Sequence, residues 1–406
     1  MQSKKINPVL RWWVTPKLPP EDIFARHNFI SQWLTHPIKR RLARIYLKYL
    51  QKQTNLKVIG ITGSTGKTTT TEILASILSR VGKTVWSAEG VDPVYNIPNT
   101  ILRTTPDTKY LILEMSVEYV NEMDYYLWLA KPDVGIITNI AATHTQFLGD
   151  EKGVAHEKGK LVRGLSAGGV AVLNKKDKLV CSLKDGGVCK AVFFGDTANI
   201  YAKNIRLNPD LSTNFTLVIN ESTKSVHMKV LGSQFVSNAL ASAAAADSLG
   251  IGINQIVRGI ELFKPPTHRL NIFRSKLHGI IFDDSYNSNP KAANESLDTF
   301  GIVSKGKKKI AVIGDMLELG KFEESAHREL GKKVGKMKFD CIIGVGNAAR
   351  FMVDEVSNVC ENKNCFLVAD YLEALEIVKP VLDKNSALFV KGSRSIHLDK
   401  LVDALK

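Results

Sequence analysis

A turn rich in glycine, serine and threonine carries the residues best suited to chemistry. An apolar strand that ends at Thr62 is followed by Gly63-Ser64-Thr65-Gly66 and then by Lys67-Thr68-Thr69, which begin a helix. Glycines in such a turn let backbone N–H groups approach phosphate oxygens, while the helix N-terminus and the lysine supply positive charge. The hydroxyl of the threonine after the lysine is a typical ligand of Mg²⁺. The turn therefore predicts a site for a nucleoside triphosphate, against the plainer interpretation of a polar loop with a solvated lysine.

The turn departs in one place from the general phosphate-binding pattern. That pattern has a glycine five residues before Gly66, where this chain has Ile61. The form that remains, G-x-x-G-K-T, is typical of a narrower set of enzymes.

Two further strands end in side chains that could join this site. Glu114 closes the apolar run 110–114, and Asn139 and His144 follow the next strand. The carboxyl ends of parallel strands meet at one edge of a sheet, so a carboxylate there could complete the coordination of Mg²⁺ beside Thr68. A lone histidine in a loop is more often a surface or core residue, but its position after this strand makes His144 a candidate ligand.

The elements that must position these residues alternate between strand and helix. From residue 55 to about 265, apolar strands are separated by helical patterns, which predicts a mostly parallel sheet. A hairpin is expected near residues 215–230, and a second strand and helix series follows Pro265-Pro266. The predicted fold is α/β, with a phosphate-binding central domain at 55–265, a Rossmann-like C-terminal domain at 266–406 and a short N-terminal extension at 1–54. We expect the two domains to close on one nucleotide.

Composition limits the remaining possibilities. The chain has 406 residues and 44% hydrophobic content, enough for two or three domains with their own cores. Its five cysteines lack a C-x-x-C pair, which favours reduced thiols. No apolar run is long enough to span a membrane, and the N-terminal residues lack the apolar core of a signal peptide. We therefore expect a cytoplasmic protein.

The positive charge is concentrated at the N-terminus. Of a net charge of +15, residues 1–52 contribute eleven Lys and Arg against Glu21 and Asp22. The remainder is only mildly basic, which argues against a nucleic-acid partner. In the predicted helix 38–50, apolar side chains share one face, namely Leu42, Ile45, Tyr46, Tyr49 and Leu50. This face could contact an anionic membrane peripherally or pack against the protein's own core.

Over residues 55–406 the chain resembles the Mur ligases, the ATP-dependent enzymes that form amide bonds in peptidoglycan synthesis. Seven segments carry the resemblance, in the family's order: Gly63–Thr69, Glu114–Ser116, Thr138–His144, Asn238–Ala241, Asp283–Pro290, Gly314–Gly320 and Val390–Arg394. Within the family, the pairing of D-D-S-Y-N-x-N-P with G-D-M-L-E-L-G is most similar to the branch that adds D-alanyl-D-alanine.

The resemblance implies roles for the matching residues. Lys67 and the turn at 63–69 would bind the phosphates of ATP. Thr68 and Glu114 would bind one Mg²⁺, and His144 would help to bind a second. Further contacts with the nucleotide would come from Asn238 on the adenine side, Arg269 at the phosphates and Asp284 at the ribose. Lys158, which matches the family lysine that can be carbamylated, would be catalytic together with Lys67 and His144. The side chains that would face the substrates are Asn287, Asn289, Asp315, Glu318, Lys391 and Ser393.

The reaction implied is activation of a substrate carboxylate by ATP to an acyl phosphate, followed by attack of an amine. The substrates would be a UDP-N-acetylmuramoyl tripeptide and D-alanyl-D-alanine, and the enzyme would be a monomer. Two departures leave alternatives open. Residues 1–52 are too short and too basic for the family's uridine-binding domain, and Gly90–Pro98 replaces its Asn-rich substrate loop. The acceptor could instead be a folate, a poly-amino acid or a recycled muropeptide, or the protein could be a P-loop switch.

Overall fold

A computed structural model describes residues 8–14, 17, 30–186, 189–275, 277–359 and 364–406. The chain divides into two compact units. The first comprises the described residues up to Ile205 together with Asn214–Met228 and Phe235–Lys264, and the second comprises Arg206–Thr213, Lys229–Gln234 and Pro265–Lys406.

The first unit combines one large sheet with helices. Its helices are α1 Pro8–Val14, α2 Ile30–Gln53, α3 Lys67–Leu78, α4 Pro93–Leu102, α5 Glu122–Leu129, α6 Thr145–Leu148, α7 Glu151–Arg163, α8 Lys178–Cys181, α9 Ser233–Ser248 and α10 Ile253–Leu262. Its strands are β1 Lys57–Thr62, β2 Thr84–Trp86, β3 Tyr110–Glu114, β4 Val134–Ile137, β5 Val170–Asn174, β6 Lys190–Phe194, β7 Ile200–Leu207, β8 Thr213–Ile219 and β9 Ser222–Met228. A 3₁₀ turn covers Ser182–Gly186.

The nine strands lie in the order β2-β3-β1-β4-β5-β6-β7-β8-β9. Strand β1 pairs in parallel with β3 on one side and β4 on the other, and β2, β5 and β6 continue the parallel pattern. Five of the six residues of β1 are buried, as expected for a strand covered on both faces by helices. The mostly parallel sheet predicted from the sequence is therefore confirmed, and β8 and β9 are neighbours where a hairpin was predicted.

Helix α2 has two apolar faces. Its inner face, with Ala43, Leu47 and Leu50, is buried in a core that also includes Val14 of α1. Its outer face carries an exposed row that we call the outer stripe. The outer stripe consists of Leu34, Ile38, Leu42, Ile45 and Tyr49.

This division corrects the single apolar face expected for the N-terminal helix. Leu50 is buried, and the Tyr46 hydroxyl donates to the carbonyl oxygen of Thr104 at 2.8 Å. Successive residues of a helix are rotated by about 100° around its axis. Tyr46 follows Ile45 and Leu50 follows Tyr49, so both point away from the outer stripe and face the protein instead of solvent. Among the described residues, no helix has both the length and the apolar character required to cross a membrane.

The second unit is a smaller α/β body. Its helices are α11 Pro290–Val303, α12 Glu323–Lys336, α13 Ala349–Val359, α14 Tyr371–Val381 and α15 Leu398–Asp403, and its strands are β10 Asn271–Ser275, β11 Gly279–Asp284, β12 Lys308–Gly314, β13 Cys341–Val345, β14 Cys365–Val368 and β15 Ser386–Lys391. Two 3₁₀ turns lie at Gly320–Phe322 and Arg394–Ile396. The strand order is β10-β11-β15-β12-β13-β14, in which β10 is antiparallel to β11 and the other neighbours are parallel. The predicted C-terminal sheet domain is confirmed.

Candidate active site

The register of the central strands brings the predicted phosphate-binding turn beside a carboxylate. Ile61 of β1 is level with Glu114 of β3, and Thr62 is level with Ile137 of β4. All three strands run in the same direction, so the segments that follow them leave the sheet at the same edge. The turn at 63–66 therefore lies between Glu114 and the segment that begins at Thr138.

Two glycines in the turn are required by space and by backbone conformation. Gly63 has φ +147°, and a Cβ atom there would lie 1.9 Å from Oγ1 of Thr138. Gly66 has φ +78°, and its Cβ would lie 2.3 Å from Oδ1 of Asn238. Asn238 thus packs against the turn from helix α9, and its predicted contact with adenine remains a prediction.

Residues after β4 hold the turn in shape. The Ser64 N–H donates to the carbonyl oxygen of Asn139 at 2.9 Å, and the Thr65 N–H donates to Oδ1 of Asn139 at 3.1 Å. Asn139 Nδ2 donates in return to Oγ1 of Thr65 at 2.8 Å, and Oγ1 of Thr138 donates to the carbonyl oxygen of Thr65 at 2.6 Å. Because Asn139 already accepts from the N–H groups of Ser64 and Thr65, we expect phosphate to be bound by N–H groups from Gly66 onward. The first N–H groups of a helix have no partner within it and suit an anion.

Lys67 and Thr68 begin helix α3 with their side chains engaged. Lys67 Nζ donates to the carbonyl oxygen of Gly63 at 2.8 Å, which folds the lysine back over the turn. Oγ1 of Thr68 donates to Oε2 of Glu114 at 2.9 Å. This pair offers a hydroxyl and a carboxylate oxygen, which are the ligands Mg²⁺ takes from proteins when phosphates and water complete its shell. Among the described residues, no three His, Cys, Asp or Glu side chains are grouped to bind a metal together.

His144 lies in the loop that follows β4, with its backbone in the left-handed region at φ 54°. The preceding residue, Thr143, places its hydroxyl 3.1 Å from that of Ser64. The loop therefore reaches the phosphate-binding turn, and the role of His144 as a metal ligand remains a prediction.

Lys158 is buried in helix α7, with about 1% of its surface exposed. Burial is the main cause that lowers the pKa of its ammonium from 10.5 to about 7, and the positive charge of Lys67 lowers it further. Glu122 and Glu157 act in the opposite direction. Both carboxylates accept backbone N–H groups near the start of helix α5: Glu122 from Glu118 and Tyr119, and Glu157 from Asn121 and Met123. A lysine with such a pKa is partly neutral near pH 7, and a neutral amine is nucleophilic.

In the second unit, two residues with predicted roles bind each other. Lys391 Nζ donates to a carboxylate oxygen of Asp284 and, at 3.0 Å, to the carbonyl oxygen of Asn287. Asp284 also accepts from Oγ of Ser296 and from the Leu270 N–H. Both members of the ion pair are buried, so each has a structural partner whatever the role of Asp284 toward the nucleotide or of Lys391 toward the substrates.

The other substrate residues predicted in this unit lie in loops at the carboxyl ends of its strands. Asp315 accepts the N–H groups of Asn347 and Ala349 and thereby caps helix α13. Asn289 caps helix α11 through the N–H of Ala292, and Oγ of Ser393 accepts the Leu317 N–H. Glu318 has φ 64°. The roles of these four residues toward substrates remain predictions.

Arg269, predicted at the phosphates of the nucleotide, lies just before β10. Its guanidinium is 3.8 Å from the centre of the Tyr286 ring. Its contact with the phosphates remains a prediction.

Sequence reasoning identified Asn139 as a side chain that could join the site but missed the other supporting residues. Thr138 helps Asn139 to hold the turn, while Glu122 and Glu157 adjust the charge around Lys158. Thr138 could have been found from its place after the strand next to β1, where side chains meet the turn. The position of Glu122 in a short helix gives no such signal, because its contact with this region depends on tertiary packing.

Replacing Gly66 with alanine should destabilise the fold and also damage the site. A left-handed alanine costs about 1–2 kcal/mol, and its Cβ would displace Asn238. Gly168→Ala is a matched control, since Gly168 has φ +75° with nothing within 4 Å of the added atom. Thermal melts should show both variants destabilised, whereas nucleotide binding by calorimetry should weaken only in Gly66→Ala. Equal nucleotide affinity in the two variants would contradict the assigned function of the turn.

Comparison with known proteins agrees with this arrangement. Residues 61–246 match the family model described as the Mur ligase middle domain, and residues 268–394 match that of the Mur ligase glutamate ligase domain. The UDP-N-acetylmuramoyl-tripeptide–D-alanyl-D-alanine ligase of Bacillus subtilis is 30% identical over 95% of this chain and 82% of its own length. The ligase of the same name from Escherichia coli is 29% identical over 88% of this chain and 78% of its own.

A solved structure shows the same similarity. A crystal structure of MurF from Acinetobacter baumannii superposes with a TM-score of 0.82 at 28% identity, covering 91% of this chain and 80% of that one. The chain therefore belongs to the Mur ligase family of ATP-dependent ligases.

Proposed function

We propose that this protein joins D-alanyl-D-alanine to a UDP-N-acetylmuramoyl tripeptide. ATP phosphorylates the terminal carboxylate of the tripeptide, the dipeptide amine attacks the acyl phosphate, and ADP and phosphate leave. The observation that carries the proposal is the 30% identity to the UDP-N-acetylmuramoyl-tripeptide–D-alanyl-D-alanine ligase of Bacillus subtilis over nearly the whole chain.

The geometry of the first unit supports the phosphoryl-transfer half of this reaction. The N–H groups from Gly66 onward and the Lys67 ammonium would bind the ATP phosphates, and they would stabilise the charge that develops during transfer. Thr68 and Glu114 would hold Mg²⁺, which supplies further charge neutralisation when it is bound. Lys158, once carboxylated, would add an anionic group beside Lys67.

The wider arrangement follows from the same proposal. We infer an ATP-binding domain at 55–265 and a C-terminal domain at 266–406, preceded by an extension at 1–54. The family models support this division, since they match 61–246 and 268–394. We further propose a monomeric enzyme of the cytoplasm, the compartment in which ATP and nucleotide-linked precursors are available.

The decisive experiment supplies the protein with ATP, Mg²⁺, D-alanyl-D-alanine and a panel of acids, and then identifies products by mass. The panel contains UDP-N-acetylmuramoyl tripeptides, a folate, a poly-amino acid and a recycled muropeptide. We expect amide product and ADP only with the UDP-linked tripeptides. Product from another acid would replace the proposed acceptor, and rapid ATP hydrolysis without any acid or amine would indicate a P-loop switch.

Replacing Glu114 with glutamine should raise the Mg²⁺ concentration needed for activity by about tenfold. The amide keeps the shape of the side chain but removes the negative charge that attracts the cation. Titration of product formation with MgCl₂ measures the effect, with Glu151→Gln, an exposed residue at the start of α7, as the control. An unchanged Mg²⁺ requirement in Glu114→Gln would remove this residue from the metal site.

A further inference from the structure

Helix α2 presents to solvent an apolar surface that the ligase reaction does not use. The side chains of the outer stripe are between 50% and 64% exposed. They follow one another at intervals of four, four, three and four residues, which keeps them on one side of the helix over a length of about 22 Å. A contiguous apolar row of this kind on a protein surface marks an interaction site.

Helix α1 extends this surface with an exposed tryptophan. Trp12 and Val9 are 60% and 72% exposed. The Arg41 guanidinium stacks over the Trp12 ring at 5.0 Å and donates to the carbonyl oxygen of Trp13, which ties α1 to α2. It also donates to the carbonyl oxygen of Pro37 in its own helix. Tryptophan is enriched where proteins meet the boundary between lipid and water.

The charges around the outer stripe identify its partner. Residues 30–53 contain six Lys and Arg and no Asp or Glu. On the helix, Lys48 and Lys52 lie along one margin of the outer stripe and Lys39 lies beyond the other. Long cationic side chains can reach lipid headgroups while the apolar row between them enters the acyl boundary.

Two other partners fit less well. A second copy of the chain would bring two helices of the same strong positive charge face to face, which like-charge repulsion opposes. A nucleic acid would be bound by cations at the centre of the surface, but here the centre is apolar and the cations are at its margins.

We propose that the outer stripe and its flanking cations bind the protein peripherally to the surface of a membrane containing anionic lipid. The helix lies in the plane of the headgroups and the rest of the chain remains on the aqueous side. The proposal narrows the membrane contact expected for residues 1–52. The outer stripe makes this contact, and Tyr46 and Leu50 do not.

The test is co-sedimentation of the full chain with phosphatidylcholine vesicles, with or without phosphatidylglycerol at about a third of the lipid. We expect binding to the anionic vesicles only, and weaker binding as salt is added. Leu42→Gln combined with Ile45→Gln should lower the partition coefficient by at least about tenfold. Its matched control is Leu277→Gln with Ile302→Gln, which removes one exposed Leu and one exposed Ile from the second unit.

A second pair of variants isolates the local charge. Lys48→Glu with Lys52→Glu should lower vesicle binding by about tenfold or more, since each basic residue near an anionic surface adds to the electrostatic attraction. Lys203→Glu with Lys224→Glu changes net charge equally at exposed positions on β7 and β9 and should bind as the wild type does. Ligase activity should be unchanged in all four proteins, so the outcome does not depend on the proposed reaction.

Three results would overturn the proposal. They are recovery of the wild type that is equal with and without anionic vesicles, equal loss of binding in test and control variants, and a dimer in sedimentation velocity that Leu42→Gln with Ile45→Gln dissociates. The last result would assign the outer stripe to a second copy of the chain.

Discussion

Replacing Lys67 with alanine should lower the rate of ADP formation by about 10²- to 10³-fold, the usual effect of removing one charge-stabilising donor from a reaction centre. Lys67 begins helix α3, and its Nζ lies 2.8 Å from the carbonyl oxygen of Gly63, above the turn that would receive the phosphates. Alanine keeps the helix, because it is the best helix former, but it removes the only charged side chain among residues 63–69. A coupled assay of ADP release with both substrates present measures the effect.

Lys57→Ala provides the comparison. Lys57 is an exposed lysine at the opposite end of β1, so its removal changes the net charge equally and leaves the turn untouched. We expect wild-type rates from that variant and wild-type melting temperatures from both. A Lys67→Ala protein that is folded and fully active would refute the phosphate-binding function of the turn.

Replacing Lys158 with alanine should lower activity by about 100-fold, and small carboxylates such as formate or acetate should restore part of it. A carboxylated lysine places an anionic group in the site, and a small acid that enters the space left by the side chain can replace that group. Lys152→Ala removes an exposed lysine from the same helix and should remain active. Wild-type activity in Lys158→Ala would remove Lys158 from the reaction.

The pH dependence of the modification gives a readout other than activity. Carbon dioxide reacts with the neutral amine, and the pKa of about 7 makes this form abundant at pH 8. The pKa is lowered relative to the free amine, so a fall in pH through 7 restores the ammonium and prevents the reaction. With ¹³C-bicarbonate, NMR should show a carbamate signal in the wild type at pH 8 that is much weaker at pH 6. A signal of equal size in Lys158→Ala would show that another amine is modified.

The sequence was sufficient to predict the features that depend on residue types at short spacings along the chain. The phosphate-binding turn follows from glycine, lysine and threonine at fixed spacing, and β1 follows from an apolar run bounded by that turn. The parallel parts of both sheets could be predicted because helices separate most of their strands. Each of these features depends on neighbours within a few residues, which a sequence displays directly.

The sequence was not sufficient where a side chain finds its partner across the fold. Asn139 accepts the N–H groups of Ser64 and Thr65, so the backbone donors predicted for phosphate begin later in the turn than the glycine spacing indicates. The prediction of a single apolar face on α2 was wrong for a related reason. Helical periodicity gives the angle between side chains but not the direction of the protein interior. Which apolar residues become buried is decided by the elements that pack against the helix.

The pairing of Ile61 with Glu114 has a consequence for changes in chain length. Side chains alternate between the two faces of a strand, so deleting one residue within β3 would turn its terminal carboxylate away from Thr68. The same deletion in the connection between α4 and β3 would leave this pairing intact. Evolutionary or engineered insertions and deletions should therefore accumulate in the connections, while the lengths of β1 and β3 remain fixed.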